Sequence, residues 1–532
     1  MQINQNSAVD LVLLFAKHEK MDEIEFKEFS KAIVDKIVDY RKTLRTRRVI
    51  PNVKPGFLGK LIPLEAPKNG ESWKDVFDDI ERVIMPGMTH WTSPNFYGYF
   101  PSACSYPSVV GELLSAGIGG IGLSWLSSPV MTELEAVTMD WLCKMLGLPE
   151  EFLNCNQGPG GGVIQGSASE TTLIALLTAK NRTVKCIKKD HPNMDEELIK
   201  SKLVAYSSNQ SNSSVEKAGF LGSMRMKLLP VDEKCSLRGA TLLKAIKKDR
   251  EAGLIPCYVV ATFGTTATCA FDNLEEIGPI CNQNYVWLHV DAAYAGAALI
   301  CPEYRSLMPG IKYTDSFNFN PHKWLLTNYD CSAFWIKDTT NLIEAFYVDR
   351  VYLTHKNAGL LPDYRHWQIS LGRRFRSLKL WFVLRIYGIS GLQKYIRDSI
   401  SLAQHFESLI KSDSRFEVIT EQTLGLVCFR MKGKNFLTQS LHDCLTERKF
   451  IFLTPATYQD KLILRFVTCS QFTVQTDIDF AWTEIITAAN IISSQNFYNN
   501  LYNGHSVDFN HLKQPKIPNI IEILSKFDFN CS

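Results

Sequence analysis

The 532-residue sequence is defined first by what it lacks. No apolar run reaches the roughly 20 residues that a helix needs to cross a bilayer, so a membrane-embedded protein is not expected. The stretch from Ala8 to Ala16 resembles a secretory core, but Asp10 interrupts it, no basic residue precedes it, and Lys17 to Lys20 follow where small cleavage-site residues belong. Charge of one sign is not in excess: 58 Lys and Arg against 55 Asp and Glu leave a net +3, too little for a basic face that would take nucleic acid or an anionic membrane. The 14 cysteines are scattered and include no Cys-x-x-Cys pair, so they read as reduced thiols in the cytoplasm, with no disulfide frame and no metal site. What remains is a globular balance, 45% hydrophobic and 21% charged, in a chain longer than one ordinary domain.

Along the chain, Phe26, Phe29, Ile33, Ile37 and Tyr40 recur at helical steps between Glu23 and Arg45, and Ser72 with Asp75 opens a second helix that stops at Met85-Pro86-Gly87. Ser128-Pro129 starts a helix that should end at Gly147. Between residues 180 and 300, strand-like runs (Leu203 to Ser207, Met226 to Val231, Cys257 to Phe263, Val286 to Val290) alternate with helical ones, which predicts a parallel α/β sheet with helices on both faces. After about residue 395 shorter strands (Gly425 to Phe429, Leu462 to Phe466) and helices suit a small C-terminal α/β domain.

Ser316, Asn318 and Asn320 alternate with Phe317 and Phe319 as in a strand, and Pro321 ends the ladder, so Lys323 sits just past a strand end. Alone, a lysine beside Trp324 reads as a snorkelling surface residue. Upstream, however, Val286 to Asp291 is an apolar run that delivers one carboxylate to a strand end. A partly desolvated amine is a nucleophile toward an aldehyde, and an acid 32 residues earlier (323 − 291) can keep a pyridine nitrogen protonated. Those are the requirements of pyridoxal phosphate (PLP). Gly158 to Gly162 followed by Gln165-Gly-Ser-Ala-Ser169 and a helical run to Lys180 offers backbone N–H groups to a phosphate, assigned to Ser167, Ala168 and Ser169.

These stretches, with Gly166-Ser-Ala-Ser-Glu170, Thr89-His-Trp91 and Asp363-Tyr-Arg-His-Trp367, closely resemble the group II PLP-dependent decarboxylases, specifically the aromatic L-amino acid decarboxylases, from about Met21 to about residue 490. The resemblance implies PLP fold type I (aspartate aminotransferase-like) with a mainly parallel sheet in the large domain; its parts are an extension at 1–20, an N-terminal helical dimerisation segment at 21–105, a large PLP-binding domain at 106–394, a small C-terminal α/β domain at 395–494 and a tail at 495–532. It implies a homodimer acting on an aromatic amino acid. Thr266, Asp291, Ala293, Asn320, His322 and Lys323 become cofactor contacts, with Lys323 catalytic. Tyr99, Phe100 and Ser102 line the substrate pocket, with Leu123 contributed by the other subunit, and Tyr352 is the implied proton donor. Relatives commonly carry Thr at the position of Ser102 and Phe at that of Leu123. Arg373, Arg374 and Arg376 either touch phosphate or, as we expect, brace the dimer.

One departure bears on the product. Amine-forming members of this family carry histidine where this chain has Asn212, whereas insect 3,4-dihydroxyphenylacetaldehyde synthases are similar in carrying Asn. An amide has no proton to relay and no aromatic face. The expectation is therefore decarboxylation with oxidative deamination of L-dopa or a related amino acid, with dioxygen as co-substrate. The alternative is an ordinary decarboxylase that yields dopamine or tyramine. A catalytically dead scaffold is disfavoured by the intact Lys323, Asp291 and Ser169.

Overall fold

A computed structural model describes residues 21–348 and 361–502. Contacts divide the chain into Met1–Ile485 and Ile486–Ser532, and the second unit enters the description only through the end of the helix Gln475–Tyr502.

The first unit is built on two sheets. The larger holds β1 (Gly161–Gln165), β2 (Leu203–Ser208), β3 (Arg225–Leu229), β4 (Ile255–Thr262), β5 (Trp287–Asp291), β6 (Ser316–Phe319) and β7 (Ser332–Ile336), in the spatial order β1-β7-β6-β5-β4-β2-β3. Strands β3, β2, β4, β5 and β6 run parallel, joined by crossover helices, as the alternating pattern predicts. The sheet is mainly parallel, as expected for the fold type: only β7 runs antiparallel, between β6 and β1, so β1 meets the sheet only through it. Its run Ser-Ala-Phe-Trp-Ile is buried on both faces and carries no directional signal of its own.

Local signals hold well. The helix Pro129–Leu146 ends at Gly147, whose φ of 69° is the left-handed cap that a side chain resists. The helix opened by Ser167 runs further than predicted, Ala168–Asp190, because no Gly or Pro interrupts it after Lys180. The glycine run has a different job from the one expected. Gly161 and Gly162 lie in β1, where a Cβ on Gly162 would sit 2.6 Å from the Trp335 indole. These glycines admit close packing and do not approach the phosphate site.

The smaller sheet orders β10 (Thr454–Tyr458), β11 (Lys461–Val467), β9 (Leu426–Met431) and β8 (Phe416–Val418), all antiparallel. The helix Arg376–Ser412, kinked at Gly388 (φ 62°), runs through the position at which the sequence divides the two domains. The aromatic segment after Thr89 is drawn into the smaller sheet: Tyr97 N–H donates to the Phe452 carbonyl at 3.0 Å, and Val467 N–H to the Tyr97 carbonyl at 3.0 Å. No disulfide joins the described cysteines, and among the described residues no acidic, His and Cys cluster could hold a metal. No described helix is long and apolar enough to cross a membrane.

Candidate active site

In a parallel sheet the loops leaving the strands' C-terminal ends converge on one edge. Five strand ends here surround a cavity of about 200 Å³. The loop after β1 brings Ser167, Ala168 and Ser169; the one after β2, Asn212; the one after β4, Thr266; β5 ends in Asp291 and leads to Ala293; β6 leads to Asn320, His322 and Lys323. Phe100 closes one side. Every cofactor contact inferred from the sequence thus lines one cavity.

Each side chain is held by its local structure. Pro321 does more than end the β6 ladder: it starts a single helical turn, Pro321–Trp324, in which Lys323 N–H donates to the Asn320 carbonyl at 2.9 Å. Burial pushes the Lys323 amine below the usual lysine range; Asp291 opposes that shift and the buried Arg465 adds to it. Burial likewise raises the Asp291 carboxyl, against the Lys323 charge and N–H donation from Ala293 (3.0 Å) and Asn318 (3.3 Å). Both donors reach Oδ1, and no described group bonds Oδ2. His322 Nδ1 accepts the Cys331 N–H at 3.0 Å, and burial with the neighbouring Lys323 lowers its pKa to about 3, so it is neutral.

Ser167 caps the helix Ala168–Asp190 through its hydroxyl, which accepts from Glu170 N–H at 3.2 Å, while Glu170 Oε2 reaches back to Gly166 N–H at 3.0 Å. This is a variant of the reciprocal capping box. The N–H groups of Ala168 and Ser169 have no described acceptor and open on the cavity at the positive end of a 23-residue helix.

Asn212 is the N-cap of the helix Ser213–Leu221: its Oδ1 accepts from Ser214 N–H at 3.0 Å, and its Nδ2 donates to Thr266 Oγ1 at 2.9 Å. Phe100 stacks on Tyr294 with ring centroids 3.8 Å apart, and Tyr294 stacks on Trp324 at 4.8 Å, so the cavity floor is a pile of rings.

Other predicted residues fall elsewhere. Tyr99 is half exposed and stacks on Trp91, Ser102 does not line the cavity, and Leu123 lines a separate pocket beside Arg373 and Arg374. Tyr352 lies outside the described residues. The three arginines are paired within the chain, Arg373 with Glu135, Arg374 with Glu112 and Arg376 with Asp330, and none lines the cavity. Thr262, Gly264, Ser214 and Tyr294 line it unforeseen. Thr262 follows from the strand-end rule, since it closes β4 as Asp291 closes β5. A larger cavity of about 740 Å³ lies at the opposite edge, where β4 and β5 begin, away from these groups.

An amine, a carboxylate with a free oxygen, and an unpaired helix N-terminus converging on a space of this size fit the aldehyde, ring nitrogen and phosphate of PLP. Comparison with known proteins agrees. The pyridoxal-dependent decarboxylase conserved domain matches residues 55–432. The chain is 55% identical to an aromatic-L-amino-acid decarboxylase of Drosophila melanogaster, over 88% of this chain and 92% of that one. It is 52% identical to a 3,4-dihydroxyphenylacetaldehyde synthase of Aedes aegypti, over 89% and 91%. Among solved structures, a TDC of Oryza sativa with PLP and tryptamine superposes with a TM-score of 0.86 at 33% identity, over 89% of this chain and 99% of that one. This protein therefore belongs to the pyridoxal-dependent decarboxylases, within their aromatic amino acid group, and uses pyridoxal phosphate.

Proposed function

We propose that the enzyme decarboxylates L-dopa or a related aromatic amino acid and deaminates it oxidatively. For L-dopa, substrate, dioxygen and water give 3,4-dihydroxyphenylacetaldehyde, CO2, ammonia and hydrogen peroxide, which balances atoms and electrons. Lys323 would hold the cofactor's aldehyde carbon, Asp291 its ring nitrogen, and the N–H groups of Ala168 and Ser169 its phosphate. Bound PLP supplies the sink for the electron pair released when the Cα–carboxylate bond breaks.

The observation that carries the reading is Asn212. Its amide faces the cavity with both ends engaged, by Ser214 N–H and the Thr266 hydroxyl. It has no proton to give at any accessible pH and no aromatic face to lay on a ring. Protonation of Cα from this side is slow, and dioxygen, itself small enough to enter, competes for the same carbon.

A second reading, amine formation without oxygen, is favoured by the Drosophila relative's name. Supplying purified enzyme with L-dopa and measuring dopamine, aldehyde, peroxide and oxygen uptake together separates the two. Aldehyde and peroxide in equal amounts support the proposal; dopamine matching substrate loss with no oxygen uptake overturns it. Half-exposed Val110, Leu113, Ile118, Val130 and Val137 on the helices Tyr106–Ile118 and Pro129–Leu146 support a homodimer.

A further inference from the structure

Behind Asp291, away from the cavity, lies a group of buried polar side chains that the reading above does not use. Strand geometry puts them together. Residues two apart on a strand share a face, so Trp287, His289 and Asp291 lie on one face of β5, and Ser316 and Asn318 on one face of β6. The register pairs His289 with Ser316 and Asp291 with Asn318. All five are buried, and the imidazole lies between Tyr258, parallel at 6.2 Å, and the edge-on Phe334 at 6.0 Å.

One direction of hydrogen bonding gives every group in this set a complementary partner. Trp287 Nε1 is always a donor, and it reaches Ser316 Oγ at 2.8 Å. The serine hydroxyl spends its own proton on the other neighbour within reach, His289 Nδ1 at 2.9 Å. A neutral imidazole whose Nδ1 accepts carries its proton on Nε2, and burial, which pulls the His289 pKa down to about 3, keeps it neutral. At the far end, Asn318 Nδ2 donates to Asp291 Oδ1 at 3.3 Å, so Asn318 Oδ1 is an acceptor in need of a donor. His289 Nε2 and Asn318 Oδ1 are both buried without a partner in full hydrogen-bond geometry, and Asn318 is the side chain that favours the charged imidazole against burial. Each orphan is what the other lacks.

We propose that Trp287, Ser316, His289 and Asn318 are positioning residues for the cofactor's ring nitrogen, a buried chain of donors that closes by His289 Nε2–H donating to Asn318 Oδ1 and ends on Asp291 Oδ1. The last donor, an amide N–H, favours the ionised carboxylate and fixes its plane. Oδ2 is then the atom left for the pyridine N–H, and an ionised, fixed acceptor is the form that keeps the ring protonated. The chain contains no charge, so it adds no buried ion to the core, and it stops at Trp287, whose indole needs no further partner. This inference rests on the assignment of Asp291 to the ring nitrogen.

The test compares two cofactors on apoenzyme, followed by fluorescence titration: PLP, and its 1-deaza analogue, in which the ring nitrogen is a carbon. Wild-type enzyme binds PLP more tightly. His289→Phe keeps the flat ring between Tyr258 and Phe334 but breaks the chain, and should weaken PLP about tenfold, the size of one charge-assisted hydrogen bond, while leaving the deaza analogue within about twofold of wild type. His289→Gln, whose amide can accept at one end and donate at the other, should recover most of the loss. Equal weakening of both cofactors by His289→Phe, or weakening of neither, overturns the proposal. A wild-type enzyme that binds both cofactors equally refutes instead the placement of Asp291 at the ring nitrogen. Should the phenylalanine variant not fold, Ser316→Ala, which removes a single hydroxyl, carries the same comparison with the same outcomes.

Discussion

Residue 212 has two separable jobs, one structural and one chemical, and a short series of substitutions divides them. Asn212→Ala loses the helix cap, which costs about 1 kcal/mol, and the bond to Thr266, about 1 kcal/mol more for a partly exposed site. For a chain this long, whose unfolding entropy is on the order of 1 kcal/mol per degree, the sum of about 2 kcal/mol lowers the melting temperature by about 2 °C. Asn212→Asp keeps an oxygen for Ser214 N–H, and the Thr266 hydroxyl can turn to donate, so it should melt within about 1 °C of wild type. Neither change supplies an imidazole, so both variants should still consume oxygen and release aldehyde. Asn212→His should melt like the alanine variant, since histidine is a poor cap, yet shift product toward amine. Melting curves, chromatographic product ratios and an oxygen electrode give all three readouts on one preparation. If alanine raised the amine fraction as much as histidine did, the missing imidazole would not be the cause of oxygen chemistry. If alanine left the melting temperature unchanged, the two hydrogen bonds would not be holding the residue.

Buried titratable groups carry two more predictions. Glu135 and Arg373, each with a side chain 4% exposed, pair with one another, and Glu135 also accepts the Ile164 N–H of β1 at 2.8 Å; Glu135→Gln should cost about 3–5 kcal/mol in urea unfolding by leaving the guanidinium uncompensated, and a loss under about 1 kcal/mol would contradict that account. The second concerns acid. His289 and His322 have an ordinary pKa of 6.5 when unfolded and about 3 when folded, so between those values the unfolded chain binds the extra protons. Their contribution is full above pH 6.5 and falls as pH drops toward 3, by up to about 1.4 kcal/mol per pH unit for each histidine; a melting temperature flat from pH 7 to 4.5 would refute it.

The cavity was legible in the sequence because its residues sit where strands stop, and a strand's stop is locally encoded. Asn320, Pro321 and Lys323 announce the end of β6 by themselves, and the apolar run before Asp291 does the same for β5. Helix starts are equally local: a serine with a glutamate three places on is a cap wherever it occurs. What could not be read depends on partners far along the chain. The antiparallel insertion of β7 is set by which neighbours it meets, and its own five residues would serve a strand of either direction. The seating of Tyr97 against Phe452 and Val467 joins segments some 350 residues apart with no shared period.

The buried chain behind Asp291 marks the boundary between those two kinds of information. The alternation of Ser316 and Asn318 with Phe317 and Phe319 is visible in β6, while His289 stands inside the run that reads as apolar in β5. For β6 alone, a solvated face is what such alternation most often means. Here both faces are buried, and a neutral histidine with an unpaired nitrogen in a core would cost about 1–3 kcal/mol unless something satisfied it. The register supplies that something by setting Ser316 beside His289 and Asn318 beside Asp291. Sliding β6 by one residue would turn Phe317 toward His289 and strand all four polar groups at once. The same alternation that places Asp291 at the edge therefore also pins the strand pairing, and specificity of fold and orientation of the cofactor's acid come from one set of side chains.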